Sequence, residues 1–116
     1  MRESNWLTWR HLVEAATREA FGDDCLIVET AGTCRKYGAR HDKLHVHGEV
    51  LVRRAPADSD YITGDFVVAR WDYYPGDANP VVRVHTGSYG LSLMEAATRM
   101  IARLRDNGVP LPGTLT

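Results

Sequence analysis

Residues 41–54 read HDKLHVHGEVLVRR, and no other segment restricts the fold as much. With a period of two it divides into two faces. Leu44, Val46, Val50 and Val52 fall on one; His45, His47, Glu49 and Arg53 fall on the other, with Leu51 the one apolar residue among them. Helices repeat their apolar positions every three or four residues, so this alternation predicts a half-buried strand. Its second face carries groups able to bind a metal, a phosphate or a partner.

The rest of the chain supplies partners for that strand. Trp9, Leu12, Val13, Ala16 and Ala20 recur at three- and four-residue steps, which predicts a helix over 5–21, with Ser4 as its cap and Gly22 as its stop. Cys25–Ala31 is β-rich. Residues 32–42 hold two glycines and several charges and read as a loop. Ala55–Asp60, APADSD, reads as a turn, and Tyr61–Tyr73 as a long strand whose facing is ambiguous. Tyr74-Pro75-Gly76-Asp77 fits a type II turn, Val81–Thr86 alternates as a short strand, and Thr86–Ser92 reads as a glycine-containing loop. Ser92-Leu93-Met94-Glu95 is a capping box that opens a second helix, with Leu93, Ala97, Met100, Ile101 and Leu104 as its apolar stripe. Asn107-Gly108 ends it, and 109–116 reads as an extended, proline-containing tail.

The order is therefore α-β-β-β-β-α. Short links favour an antiparallel meander, and the expected fold is an α+β domain over 1–108: a four-stranded, mostly antiparallel sheet with both helices on one face. The expected core is Trp9, Leu12, Val13, Val46, Val50, Phe66, Val82, Val84, Leu93, Ala97, Ile101 and Leu104.

At 116 residues the chain can bury one core without metal or disulfide staples. A formal net charge of −1 gives no overall attraction to nucleic acid or anionic membrane. There is no apolar run of membrane-spanning length, and the charged N-terminus is unlike a signal peptide, so the expected location is the cytoplasm. Cys25 and Cys34 form no CxxC pair, which agrees with a reducing compartment. Basic residues gather at 35–54 and acidic ones at 58–77; compensation across a hairpin is the simplest account.

His45 and His47, two apart on one strand, put both imidazoles on one face about 6–7 Å apart at the backbone. With Glu49 they make a candidate site for a divalent metal such as zinc, nickel or iron, which His85 or Asp65 can complete from another strand. The HxH-then-glutamate order resembles the first motif of cupins, although Glu49 follows Gly48 at once whereas the cupin glutamate lies farther on. Helix–sheet–helix order resembles that of double-stranded-RNA-binding domains, but the last helix begins Ser92-Leu93-Met94-Glu95, without the lysines those domains use. Arg35, Lys36, Arg40 and Lys43 are the residues through which RNA would be held, and the acidic stretch after them argues against nucleic acid. Cys34, beside Arg35 and Lys36 and with His41 nearby as a base, is a nucleophile candidate.

No catalytic motif is complete, and the chain reads as a non-enzymatic binding protein without a cofactor. With both helices on one face, the other lies open and shows His45, His47, Glu49, Leu51, Val67, Trp71, Arg83 and His85. This mixed aromatic–polar face suits self-association as a homodimer or a protein partner, as in accessory proteins of phages and mobile elements. A metal- or small-molecule-binding site at His45, His47 and Glu49 is the alternative, and RNA binding through 35–43 a further one.

Overall fold

The computed structural model describes residues 6–54, 65–85 and 87–112. A 3-10 turn, Trp6–Trp9, leads into α1, Arg10–Phe21. Four stretches of sheet follow: β1 (Leu26–Tyr37), β2 (Lys43–Arg53), β3 (Phe66–Tyr73) and β4 (Arg83–Val84). A fifth, β5 (Ser88–Leu91), precedes α2, Leu93–Asp106. All pairings are antiparallel in the order β1-β2-β3-β4, and β5 pairs a further stretch of the same side of β3. The α+β class and the element order expected from the sequence are both present. Among the described residues no helix is long and apolar enough to cross a membrane.

The helices do not share a face. Val46, Val50 and Val52 of β2 and Ala69, Trp71 and Tyr73 of β3 form one core with Trp9 and Val13. Leu51 and Val68 form a second with Leu91, Ala96, Met100 and Leu104. Successive strand residues point to opposite faces, so α1 lies on one side and α2 on the other. The physical reason is composition: β2 and β3 carry large apolar side chains at both parities, and one helical layer leaves half of them in water. Covering both faces buries Leu51, Val67, Val68, Ala69 and Trp71 completely. The expected open face bearing Leu51, Val67 and Trp71 therefore does not exist.

β1 runs six residues past the expected end at Ala31, and the loop over 32–42 shrinks to a turn. Tyr37 pairs with Lys43, and the chain reverses through Gly38 at φ +92° and His41 at φ 52°. Gly32, read as a loop residue, is instead a notch: a Cβ there would lie 2.5 Å from Trp71 Cζ2. Cys34 is consequently a buried strand residue. The expected loop before α2 also contains β5, whose Leu91 pairs with Phe66 and Ser88 with Val68.

The second helix starts as its sequence predicts. Ser92 Oγ accepts from the Glu95 amide at 3.1 Å, and Glu95 Oε1 accepts from the Ser92 amide at 3.0 Å. Its buried stripe is Ala96, Met100 and Leu104, so Leu93, placed in the core by periodicity, is half exposed. Leu12 on α1 is likewise partly in solvent, while Thr17 is buried there with its hydroxyl on the Val13 carbonyl at 2.7 Å. After α2, Val109 is buried and Leu111 packs on the second core. The expected cap Ser4, the Ala55–Asp60 turn, the strand start over 61–64, Thr86 and the tail end lie outside the described residues.

Candidate functional site

β2 and β3 are in register so that His47 faces Asp72, Glu49 faces Arg70 and Leu51 faces Val68. All of these lie on the α2 side. Asp72 pairs in turn with Arg83 on β4, and Arg35 on β1 pairs with His45. The polar residues of four strands thus form contiguous rows. Apolar residues continue the same face under α2.

α2 covers only part of this face. Its last turn sends Arg103 down to Glu49, with Nε 2.7 Å from Oε1, an ion pair by distance although that oxygen lacks an aligned hydrogen-bond donor. Glu49 is 1% exposed. Burial raises its carboxyl to about 7 against the opposing pull of Arg103 and Arg70. Beyond Arg103 the helix ends, and Asp106 and Asn107 overhang a polar pocket of about 380 Å³. Arg35, His45, His47, Arg70 and Asp72 form its floor, with Tyr74 at its side.

Asp72 organises the pocket. Its Oδ1 lies 2.5 Å from His45 Nε2, and its Oδ2 lies 2.6 Å from His85 Nε2 and 3.4 Å from Arg70 Nη2. Burial raises this carboxyl, but the His45 hydrogen bond, the Arg70 guanidinium and the His85 hydrogen bond outweigh it and hold it below the usual range. An ionised carboxylate only accepts, so both imidazoles donate through Nε2. His85 is the more open of the two, with its side chain 42% exposed.

His45 is clamped between two rings. His47 stacks on it at 4.6 Å and Tyr74 at 4.5 Å, the latter within 5° of parallel. His47 is 5% exposed. Burial, with His45 and Arg35 adding to it, lowers its imidazole to about 4, so it is neutral at physiological pH. Its Nε2 has no hydrogen-bond partner among the described residues. A buried polar atom left without a partner calls for a ligand, an ion or a water.

Three candidates from the sequence, His45, His47 and His85, meet here, and Arg83 shares their face at its exposed edge. Glu49 shares the face but lies beneath α2. The proposed metal set is not convergent: lone pairs of two nearly parallel stacked imidazoles cannot meet on one ion at about 2.0–2.1 Å, and His45 Nε2 is engaged by Asp72. Among the described residues no group of three or more His, Cys, Asp or Glu side chains is arranged to hold a metal. Of the basic 35–43 group, Arg35 points into the pocket from β1.

Asp72, Arg70, Tyr74 and Asn107 escaped the sequence reading as site residues. β3 is apolar at both parities, so the face of Asp72 and Arg70 was unreadable, and Tyr74 presented itself only as a turn residue. Asn107 looked like a helix stop, which it also is, donating from Nδ2 to the Arg103 carbonyl at 2.8 Å. One signal was available: if His47 and Asp72 are taken to pair across the β2–β3 hairpin, the histidines acquire their carboxylate.

The arrangement has two chemical capacities. Arg35 and Arg70 can hold an anion. A histidine oriented by a carboxylate, as His85 is by Asp72, can also move a proton. No protein-family profile, no curated protein and no solved structure gives a significant match to the chain.

Proposed function

We propose that this is a small-molecule-binding domain whose site is the pocket at the end of α2 and whose ligand carries an anionic group. The observation that supports this best is the pocket itself, where Arg35 and Arg70 stand beside His47, whose buried Nε2 has no hydrogen-bond partner among the described residues. A folded chain gains nothing from such an atom unless something else satisfies it. Burial is the main cause that lowers the His47 imidazole; Arg35 and Arg70 add to it and Asp72 opposes them. A pocket of this size suits a ligand of metabolite dimensions.

Titration calorimetry and thermal unfolding with inorganic phosphate and with acetate test the reading. At least one anion should bind and raise the melting temperature in proportion to the logarithm of its concentration. Arg35→Ala combined with Arg70→Ala should abolish the effect while the variant remains folded. No stabilisation by either anion at millimolar concentration overturns it.

A second reading retains self-association but moves it from the sheet face to the sheet edge. β1 is an outer strand 12 residues long, and Leu26 and Val28 near its start are exposed. An exposed strand edge of this kind is a template for pairing with a second copy. Sedimentation should then show a dimer that Val28→Pro disperses; a wild-type monomer across the accessible concentration range rejects it.

A further inference from the structure

A second cavity, about 560 Å³, adjoins the first and shares Tyr74 with it. It lies between the β1–β2 turn and the β3–β4 turn, and its walls include Tyr37, Asp42, Lys43, Tyr74, Pro75 and Asp77. Three rings, His47, His45 and Tyr74, stack in sequence from the first pocket toward the second. His45 covers one face of Tyr74. Tyr74 also lines the second cavity, and among the described residues no further ring stacks on it.

Tyr37 stands beside the stack, 6.0 Å from Tyr74 and at 78° to it. Lys43 Nζ lies 6.0 Å over the Tyr37 ring. Asp42 and Asp77 sit at the same cavity and are acceptors when ionised. A ring platform beside carboxylate acceptors suits a planar group that carries N–H donors. On the other side of Tyr74, the arginine pocket suits an anion.

We infer that the two cavities hold one bipartite ligand of the nucleotide class: its phosphate at Arg35 and Arg70, and an amino-bearing base stacked on Tyr74 within reach of Asp42 and Asp77. This rests on the anion-binding reading above and specifies the ligand for it. Base stacking on an aromatic side chain tolerates any base, so the acidic residues supply the preference for an exocyclic amine. Two arginines stand against Asp72 and Asp106 in the first pocket, whereas Lys43 alone stands against Asp42 and Asp77 in the second, so the phosphate is placed in the first.

The test compares inorganic phosphate, adenosine monophosphate and inosine monophosphate by titration calorimetry on the full chain. Adenosine monophosphate should bind roughly tenfold or more tighter than phosphate. Inosine monophosphate, which lacks the exocyclic amine, should fall between them. Tyr74→Leu should weaken the nucleotide far more than it weakens phosphate, so that the gain from the base is lost. Asp77→Asn, at an exposed turn residue, should weaken the preference for the amino-bearing base and guards against a misfolded Tyr74 variant. Phosphate binding without any gain from the base overturns this inference and leaves the anion site standing. Binding of none of the three overturns both. A nucleotide preference that survives Tyr74→Leu in a folded protein overturns the placement of the base.

Discussion

Arg103 Nε lies 2.7 Å from Glu49 Oε1, and through this pair the last turn of α2 is fastened to the centre of the sheet. The pair marks a boundary. On one side α2 covers Leu51 and Val68; on the other the polar pocket begins. Removing one partner of a buried pair leaves an uncompensated charge, so Arg103→Leu should destabilise the domain by about 3–5 kcal/mol. Urea unfolding at pH 8, where Glu49 is ionised, measures it.

Glu49 also sets a pH dependence. Its carboxyl stands at about 7 in the folded chain against an ordinary 4.5. The folded state therefore keeps a proton that the unfolded state releases between those values. This contribution to stability is full below about 4.5 and is lost as pH rises through about 7. Relative to Glu49→Gln, the wild type should lose about 3 kcal/mol between pH 4.5 and pH 8. Parallel denaturant titrations at the two pH values give the difference; an unchanged gap rejects the buried-acid account.

His47 acts in the opposite direction. Its imidazole is held at about 4 against an ordinary 6.5, so the unfolded state takes up a proton first as pH falls. Its contribution is present above about 6.5 and is lost as pH falls through about 4. Between pH 4.5 and pH 6.5 the two groups offset one another, and the wild-type stability curve should be flatter there than that of either His47→Gln or Glu49→Gln. Proton–nitrogen correlation spectra should show His47 still neutral at pH 5.5.

Trp71 is fully buried, with its Nε1 donating to the Glu49 carbonyl at 3.2 Å. Trp71→Glu should therefore unfold the chain rather than alter its association, because an unpaired carboxylate in that core has no compensating partner. The near-ultraviolet dichroism of the aromatic residues reports it.

Gly32 gives the complementary probe. A methyl group at this position meets the Trp71 ring 2.5 Å away, and the ring is also packed against Trp6 at 5.8 Å. Gly32→Ala should cost about 1–3 kcal/mol as an overpacked core. Tryptophan emission should shift as the indole moves, with the midpoint of urea unfolding lowered and its slope unchanged.

Local signals carried far in this chain, and their reach had a clear limit. Ser92 and Glu95 announced the start of α2 because a capping box needs only four consecutive residues. His45, His47 and Glu49 were placed on one face because a strand's parity is local. Gly32 was misread because the reason for a glycine there is an indole from β3, almost forty positions away in sequence. The site was half legible for the same reason: its histidines alternate visibly, whereas Asp72 and Arg70 lie in a strand that is apolar on both faces.

By itself, the sequence determined both helices, four of the five strands, their order and the parity of β2, since these follow from backbone periodicity and short-range capping. Tertiary structure alone decided that α1 and α2 take opposite faces, that Leu51, Val67 and Trp71 are core, and that Asp72 joins His45 to His85. Those outcomes depend on which apolar surfaces find each other across the sheet. The free energy of burial is not directional and has no local signature in the chain. The face that alternation marked as open is closed over its apolar half by α2, and its polar half remains as a pocket lined by His45, His47 and Asp72.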